Sequence, residues 1–201
     1  MKTKKWLIVK KKEMTKLRLD NQHVAVTLLE VVQQEVVRYK TLDQDGYEAA
    51  VLWVWKKELD KAKGQKISYA VLQEFGCDDA FKSTYPAGTP LSLELFEWVQ
   101  SIGLTGTSKG KGYQWVIKRF HTKGWPKTHG SKFHRHVGSM GNRKPRRTQK
   151  GHPHAGHMGS ETVTLHNRPV VDLLTLQGTP FIAVKGSVPG SYNWYLSLYV
   201  G

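Results

Sequence analysis

The sequence predicts a mainly β protein: a closed, Greek-key-like β-barrel body with a short helix and a long, basic, irregular loop extension. Short β-branched and apolar runs, separated by turn signals, occur in residues 24–54 and again in the tail, as in barrels of many short strands. The stretch from about 104 to 160 follows neither a strand nor a helix period. We therefore expect residues 1–105 and 161–201 to form the barrel body and residues 106–160 to form the extension.

The first half of the chain alternates strand-like runs with breaks. The turn signal "DQDG" separates two of these runs, and residues 56–64 combine helix-forming residues with a terminal glycine, which predicts a short helix. Leu91, Leu93 and Leu95 alternate with polar residues, which is the period of a half-buried strand. The predicted strands of this half are "VAVTLLEVV", "EVVRYKTL", "YEAAVLWVW", "ISYAVLQEF" and "PLSLELF".

Residues 161–201 again contain short β-rich runs. Glycine and proline in "QGTP" and "VPGSYN" mark turns between them. The strands predicted here are "ETVTLHN", "VVDLLTL", "FIAVKG" and "YLSLYV".

Positive charge is concentrated in the middle of the chain. The formal net charge is +15, and 13 of the 31 lysines and arginines lie between Lys109 and Lys150. No aspartate or glutamate occurs from Trp98 to Ser160, so the rest of the chain, with 18 basic and 16 acidic residues, carries only +2. A solvated surface normally mixes both signs of charge. The segment therefore predicts a polyanion or an anionic surface as partner.

Other features of the composition indicate a soluble cytoplasmic protein. The single cysteine, Cys77, excludes an intrachain disulfide and suits a reducing compartment. The apolar run from Trp6 to Val9 is too short for a secretory signal. No stretch approaches the roughly 18 apolar residues of a membrane span, so we expect no membrane partner.

The central segment is also a candidate for disorder. It has few aliphatic residues and like charges, which prevent a hydrophobic core from forming. A loop of this length inside a compact domain usually indicates either function or disorder. Both can hold, because a segment that is unstructured alone can order against a polyanion that neutralises it.

Three motifs in this segment suggest enzyme or cofactor sites but lack what those sites require. Only three residues separate Gly106 from Gly110, whereas a phosphate loop has four between its glycines. The histidines of "HPHAGHMG" have no cysteine or carboxylate nearby to complete a zinc site. Nothing orients His134 as a base toward Ser139. We expect no catalytic residue, no metal, no cofactor and no small-molecule substrate.

The chemistry of the segment fits RNA instead. Lysine and arginine neutralise phosphates, imidazoles donate to phosphates or stack on bases, and glycines let the main chain approach closely. Phe120 and Phe133 can stack on unpaired bases. The predicted RNA-binding residues are Lys109, Lys111, Lys118, Arg119, Lys123, Lys127, His129, Lys132, His134, Arg135, Arg143, Lys144, Arg146, Arg147, Lys150 and His157.

Longer motifs along the chain point to a family. The segment contains "TGTSKGKGYQ", "THGSKFHR", "GSMGNR" and "AGHMG", and "DGYEA", "VTLHN" and "VKGSVPG" lie outside it. In these motifs the chain resembles the ribosomal protein L-three family, bacterial type, over essentially its whole length. Glu13 departs from the resemblance, because the family has glycine before its "MT". The basic residues that match family motif positions are Lys109, Lys111, Lys118, Arg119, Lys132, His134 and Arg135.

The resemblance implies a non-catalytic protein of the large ribosomal subunit that binds rRNA and acts early in assembly. It implies a barrel on the subunit surface and a loop that threads into the rRNA toward the peptidyl-transferase region. Large-subunit rRNA and neighbouring large-subunit ribosomal proteins are the expected partners. The expected location is cytoplasmic and ribosome-bound.

The seven tryptophans are unusual in comparison with that family. Six of them fall where the family has glycine, and Trp98 aligns more loosely near a typical glycine. One hypothesis is that the gene encodes glycine with UGA and was translated with UGA read as tryptophan. The alternative is that Trp115 and Trp125 stack on rRNA bases. The six are Trp6, Trp53, Trp55, Trp115, Trp125 and Trp194.

Two other functions stay open from the residues alone. The histidine-rich loop is compatible with a metal-dependent enzyme, which zinc content after purification tests. The charge is equally compatible with a basic RNA-binding module outside the ribosome, which co-sedimentation with large subunits tests.

Overall fold

The computed structural model describes residues 5–19, 21–55, 69–141 and 147–200. The chain divides into two compact units: Met1–Thr107 together with Thr162–Gly201, and Ser108–Glu161. The strands are β1 (Lys5–Leu19), β2 (Gln22–Val31), β3 (Gln34–Lys40), β4 (Ala49–Trp55), β5 (Tyr69–Phe75), β6 (Pro90–Leu91), β7 (Ser101–Thr107), β8 (Tyr113–Gln114), β9 (Gly156–His157), β10 (Thr162–Leu176), β11 (Thr179–Lys185) and β12 (Tyr195–Val200). The helices are α1 (Leu42–Asp45), α2 (Asp79–Thr84) and α3 (Val116–Phe120), with a 3-10 turn at Leu93–Phe96.

Six strands of the first unit pair in the order β1-β12-β7-β10-β11-β2, and β1 also pairs with β2, so the sheet closes on itself as a barrel. Every neighbouring pair is antiparallel. The prediction of a mainly β chain with short helices is confirmed. Closure leaves the six strands without a long unpaired edge, apart from the parts of β1 and β2 that extend past their barrel neighbours.

A second sheet of the same unit, in the order β5-β4-β3-β6, shares one hydrophobic core with the barrel. Leu7 and Leu29 from the barrel and Leu52 from the sheet are fully buried in that core. Gln34 is the polar link between them: its amide accepts from Ile8 N at 2.8 Å and donates to Ile8 O at 2.8 Å. Burial of apolar side chains from both sheets stabilises the unit as one body.

Some predicted elements differ from the structure. "PLSLELF" is wrong as a strand: only Pro90–Leu91 pairs, and Leu93–Phe96 form a 3-10 turn. Leu95 and Phe96 are both buried, and the backbone there turns, with Glu97 N donating to Glu94 O at 3.3 Å. The two runs predicted at 161–167 and 170–176 form one strand, β10, whose register with β7 shifts between Leu165 and Arg168.

Four further elements extend the comparison. β1 and α2 were not predicted, because their lysine-rich or mixed sequences give no clear period. "DQDG" contributes most of a single helical turn, ended by Gly46 at φ 76°. The helix predicted over 56–64 lies outside the described residues.

Candidate nucleic-acid interface

The unit 108–161 begins and ends in a two-stranded ribbon, which we call the neck (residues 108–114 with 156–161). Ser108 N donates to Glu161 O at 2.9 Å, Lys111 N to Met158 O at 2.9 Å, and Met158 N to Gly112 O at 3.0 Å. β8 and β9 extend the ribbon with two paired residues each. The two ends of a long segment are thus held together by its own backbone.

A glycine allows the two sides of the neck to approach. Gly159 is buried, with φ +79°, and a Cβ there would lie 2.2 Å from Lys109 O and 3.0 Å from Lys111 N. No other residue fits such a contact without displacing backbone, and positive φ disfavours any side chain there. The close approach of the two sides of the neck therefore explains why glycine occupies position 159, the last residue of "AGHMG".

The helix α3 follows the neck and is tied to the far side of the segment. Val116, at its start, is 2% exposed. The Arg119 guanidinium donates to His154 O at 3.0 Å, and a Cβ at Gly156 would lie 2.8 Å from Arg119 Nη1. The same guanidinium lies 5.0 Å from the ring centroid of Phe120. Arg119 is therefore half-buried and packed within the unit.

Residues 121–141 form a surface loop that folds back on itself. Trp125 N donates to His134 O at 3.3 Å, and the Trp125 indole donates to His136 O at 3.2 Å. The rings of Phe133 and His136 lie 4.4 Å apart. Phe133 is 52% exposed, so a flat apolar face with an adjacent imidazole is open to solvent.

Most of the predicted RNA-binding side chains are exposed on this unit. Arg119 is the exception, because it is half-buried. Arg143, Lys144 and Arg146 lie outside the described residues. The exposed ones are Lys109, Lys111, Lys118, Lys123, Lys127, His129, Lys132, His134, Arg135, Arg147, Lys150 and His157.

The unit contributes almost no negative charge of its own. Its only acidic residue is Glu161, at its end. The ion pairs among the described residues, such as Lys12–Glu30 at 2.9 Å and Lys40–Glu74 at 2.9 Å, lie in the other unit. Within the described part of 108–161, Glu161 is therefore the one acid available to offset the repulsion among the exposed cations.

The expectation that 104–160 lacks regular structure is wrong in part. β7 continues to Thr107, and β8, α3 and β9 all lie within the segment. These elements are too short for a clear period in sequence, and backbone pairing between residues about 45 apart forms the neck. Among the described residues of 108–161, those outside β8, α3 and β9 belong to no helix or strand, including residues 108–112 and 158–161 of the neck.

The histidines of this unit do not form a metal site in the described part of the chain. Among the described residues, no group of three or more His, Cys, Asp or Glu side chains is placed to hold a metal ion. The closest histidine rings of "HPHAGHMG", His152 and His154, lie 5.2 Å apart. Across the described ranges, no helix has the length and apolar character that crossing a membrane requires.

Comparison with known proteins identifies the family. The family model described as Ribosomal protein L3 matches residues 3–179. The chain belongs to the ribosomal protein L3 family. The resemblance of the sequence motifs is thereby confirmed, and so is the prediction of a structural ribosomal protein rather than an enzyme.

Individual members of the ribosomal protein L3 family are similar along nearly all of the chain. Large ribosomal subunit protein uL3 of Oceanobacillus iheyensis is 37% identical over 205 residues, covering 96% of each chain. Those of Fervidobacterium nodosum and Deinococcus radiodurans are 36% and 37% identical, covering 93% and 89% of this chain and 93% and 86% of their own.

Three residues that shape the candidate interface were not predicted from the sequence. Gly156, Gly159 and Val116 carry no charge, so a search for phosphate ligands passes over them. Their signal was present: both glycines fall in the "AGHMG" motif. Which contact each glycine avoids is visible only once residues 109–119 and 154–159 are placed together.

Proposed function

We propose that this chain is a structural constituent of the large ribosomal subunit that binds rRNA and supports early subunit assembly. The barrel body anchors it, and segment 108–161 is the extension that reaches into rRNA toward the peptidyl-transferase region. The observation that carries the proposal is that twelve of the predicted RNA-binding side chains, all cationic or imidazole, are exposed on a unit whose only acid is Glu161. Neighbouring ribosomal proteins are its other partners, and the location is the cytoplasmic ribosome.

The mechanism is charge neutralisation combined with shape. Each lysine or arginine that contacts a phosphate displaces condensed counterions, so the affinity falls steeply as salt rises. Rings such as Phe133, 52% exposed, and Phe120, 42% exposed, offer stacking surfaces for unpaired bases. Binding also removes the mutual repulsion of the cations, which favours an ordered segment in the complex.

The neck gives the segment a defined starting direction. Its backbone hydrogen bonds fix the ends of 108–161, while the irregular stretches beyond α3 are left to adapt to folded RNA. Ordering part of the segment in advance lowers the conformational entropy lost on binding. We propose that the RNA-binding residues named from the sequence act from this frame, with Arg119 as a support.

Deletion of residues 112–155 tests the proposal. Lys111 N and Met158 O are 2.9 Å apart, so a short linker can close the cut across the neck. We expect the shortened chain to keep a cooperative unfolding transition and to lose stable co-sedimentation with large subunits. A folded, shortened chain that still incorporates at the wild-type level contradicts the proposal. Wild-type protein that binds RNA but never travels with large subunits indicates an RNA-binding module outside the ribosome.

A further inference from the structure

The first two strands extend beyond the barrel as a hairpin. β1 pairs with β12 only over Lys5–Lys10, and β2 pairs with β11 only over Val26–Glu30. Past those points the strand pairing continues only between β1 and β2, as far as Leu19 and Gln22, although Gly186 N still donates to Ala25 O at 2.9 Å. We call residues 14–19 with 22–25 the hairpin ribbon.

The register gives the hairpin ribbon one basic face. Lys16 pairs with Ala25, and Arg18 pairs with His23, so these side chains lie on the same side of the ribbon. Lys16, Arg18 and His23 are all exposed. Leu17 and Val24, which pair with each other, lie on the opposite side. The basic side chains therefore share one face of the ribbon, which also carries Ala25 and the exposed Met14.

These basic side chains differ from those nearer the barrel. The Lys11 amine donates to Val188 O at 2.8 Å and to Gly190 O at 2.9 Å, and Lys12 pairs with Glu30. Among the described residues, no acidic side chain pairs with Lys16 or Arg18; Arg18 donates to the neutral amide oxygen of Asn21 at 2.8 Å. Lys11 and Lys12 therefore serve the barrel, whereas Lys16 and Arg18 remain charged toward solvent.

The spacing of the basic face suits phosphate groups. Arg18 lies directly across from His23 on this face. Lys16 and Arg18 lie about 7 Å apart along the strand, far enough to contact two separate phosphates. Arginine is also the side chain that binds phosphate with two parallel hydrogen bonds.

We infer that the basic face of the hairpin ribbon, formed by Lys16, Arg18 and His23, is a second RNA-binding surface that contacts phosphate groups of the rRNA. It lies in the barrel-containing unit and outside segment 108–161, where all the predicted RNA-binding residues lie. The inference rests on the proposed function, because a family member that binds rRNA supplies the polyanion that this face requires. Charge complementarity favours RNA as the partner, since the described side chains of this face are cations and hydrogen-bond donors and include no acid.

Salt titration of RNA binding by the full-length chain tests the inference. The variants are K16Q and R18Q, and R38Q is the matched control, because Arg38 is also exposed but lies on β3 in a surface pair with Asp45. The probe is large-subunit rRNA of the same organism, transcribed in vitro. We expect K16Q and R18Q each to lower the slope of log affinity against log salt by about 0.7 to 0.9, as for one lost phosphate contact. R38Q should leave the slope unchanged, and R18K should restore part of it.

The outcomes separate this inference from the proposed function. Equal slopes for wild type, K16Q and R18Q overturn the second surface and leave rRNA binding by 108–161 intact. An equal loss in R38Q also overturns it, because the effect is then one of net charge. Unchanged RNA binding with lost co-sedimentation identifies the ribbon as a protein contact, which overturns it as well. Wild-type protein without salt-dependent binding contradicts the proposed function itself. Thermal unfolding of each variant checks that the fold is retained.

Discussion

The Arg119 guanidinium donates a hydrogen bond to the His154 carbonyl oxygen at 3.0 Å, joining residues that are 35 positions apart in the chain. The space it occupies is available because Gly156 has no Cβ. Its neighbour Lys118 is exposed, and its amine donates no hydrogen bond to a backbone carbonyl among the described residues. Two adjacent cations in one short helix therefore serve different ends: Arg119 holds the segment together and Lys118 faces outward.

Substitution of these two residues should give opposite results. We expect R119A to increase protease cleavage and hydrogen exchange in 108–161 of the free protein, because the link between α3 and residues 154–156 is lost. Its salt slope in RNA binding should stay close to that of the wild type. K118A should lower the slope by about 0.7 to 0.9 and leave protease sensitivity unchanged. A slope loss in R119A equal to that in K118A would show that Arg119 contacts phosphate directly.

Gly159→Ala should open the neck. The added Cβ meets Lys109 O at 2.2 Å, and residue 159 has positive φ, so backbone must shift. We expect faster hydrogen exchange at the amides of Lys111 and Met158 and a loss of about 1 kcal/mol or more in local stability. Gly151→Ala is the matched control, since Gly151 also has positive φ (+80°) but nothing lies within 4 Å of its Cβ position. Equal effects of the two substitutions would assign the loss to φ alone.

Gln34→Leu should destabilise the barrel-containing unit. The substitution removes both hydrogen bonds to Ile8 and leaves its buried N–H and C=O without those partners. We expect the free energy of unfolding in urea to fall by about 2 kcal/mol or more. Gln33→Leu, at the exposed neighbouring position, should change it by about 0.5 kcal/mol or less. An unchanged urea midpoint of unfolding for Q34L would show that the hydrogen bonds between Gln34 and Ile8 do not stabilise the unit.

The tryptophans should respond differently to replacement by glycine. Trp98 is 97% exposed with φ +67°, a conformation that glycine adopts without strain. Trp6 stacks on Phe75 at 4.8 Å and donates from its indole to Gly76 O at 2.9 Å. We expect W98G to leave stability unchanged or raise it by up to about 1 kcal/mol, and W6G to lower it by about 3 to 5 kcal/mol. Urea unfolding measures the stability of both variants. A large loss of stability in W98G would contradict the expectation that residue 98 tolerates glycine.

The codon hypothesis for the seven tryptophans has its own measurement. If UGA encodes glycine in the source organism, the intact mass of the protein isolated from that organism should fall below the mass of the printed sequence by seven Trp-to-Gly differences. Seven UGG codons in the gene, or the full printed mass, would contradict the hypothesis.

Cys77 should react slowly with alkylating reagents in the folded chain. Burial raises the pKa of its thiol, so less thiolate is present near neutral pH. Because the thiol pKa is higher in the folded state than in the unfolded state, the folded state binds the proton more tightly. The free energy of unfolding therefore decreases as the pH rises from the unfolded-state pKa through the folded-state pKa. Iodoacetamide labelling should be slower in buffer than in urea at the same pH. Equal rates would contradict the shift.

Much of the body of the fold is predictable from the sequence. "YLSLYV" and "FIAVKG" form β12 and β11, because β-branched and apolar residues with turns at both ends leave few alternatives. "PLSLELF" shows the limit of the same reasoning. Its leucines alternate, but Leu93–Phe96 form a 3-10 turn in which Leu95 and Phe96 both pack into the shared core.

The positive charge of the candidate interface was predictable from the sequence. The residues that hold its backbone in place were not. Lys118 and Arg119 both read as phosphate ligands, since the sequence shows charge and not the distance to His154. Gly156 and Gly159 were visible as motif glycines, although the contacts they avoid involve residues 37 to 50 positions away. The faces of the hairpin ribbon depend in the same way on the pairing of Arg18 with His23.

The sequence by itself determined the segregation of charge, the strand-forming runs and the family, because composition, local periodicity and motifs are properties of neighbouring residues. Only the tertiary structure decided which cations face solvent, which glycines form the neck and where the barrel sheet closes. Those outcomes depend on backbone and side chains that meet across dozens of residues, and their hydrogen bonds and burial are determined when the whole chain folds.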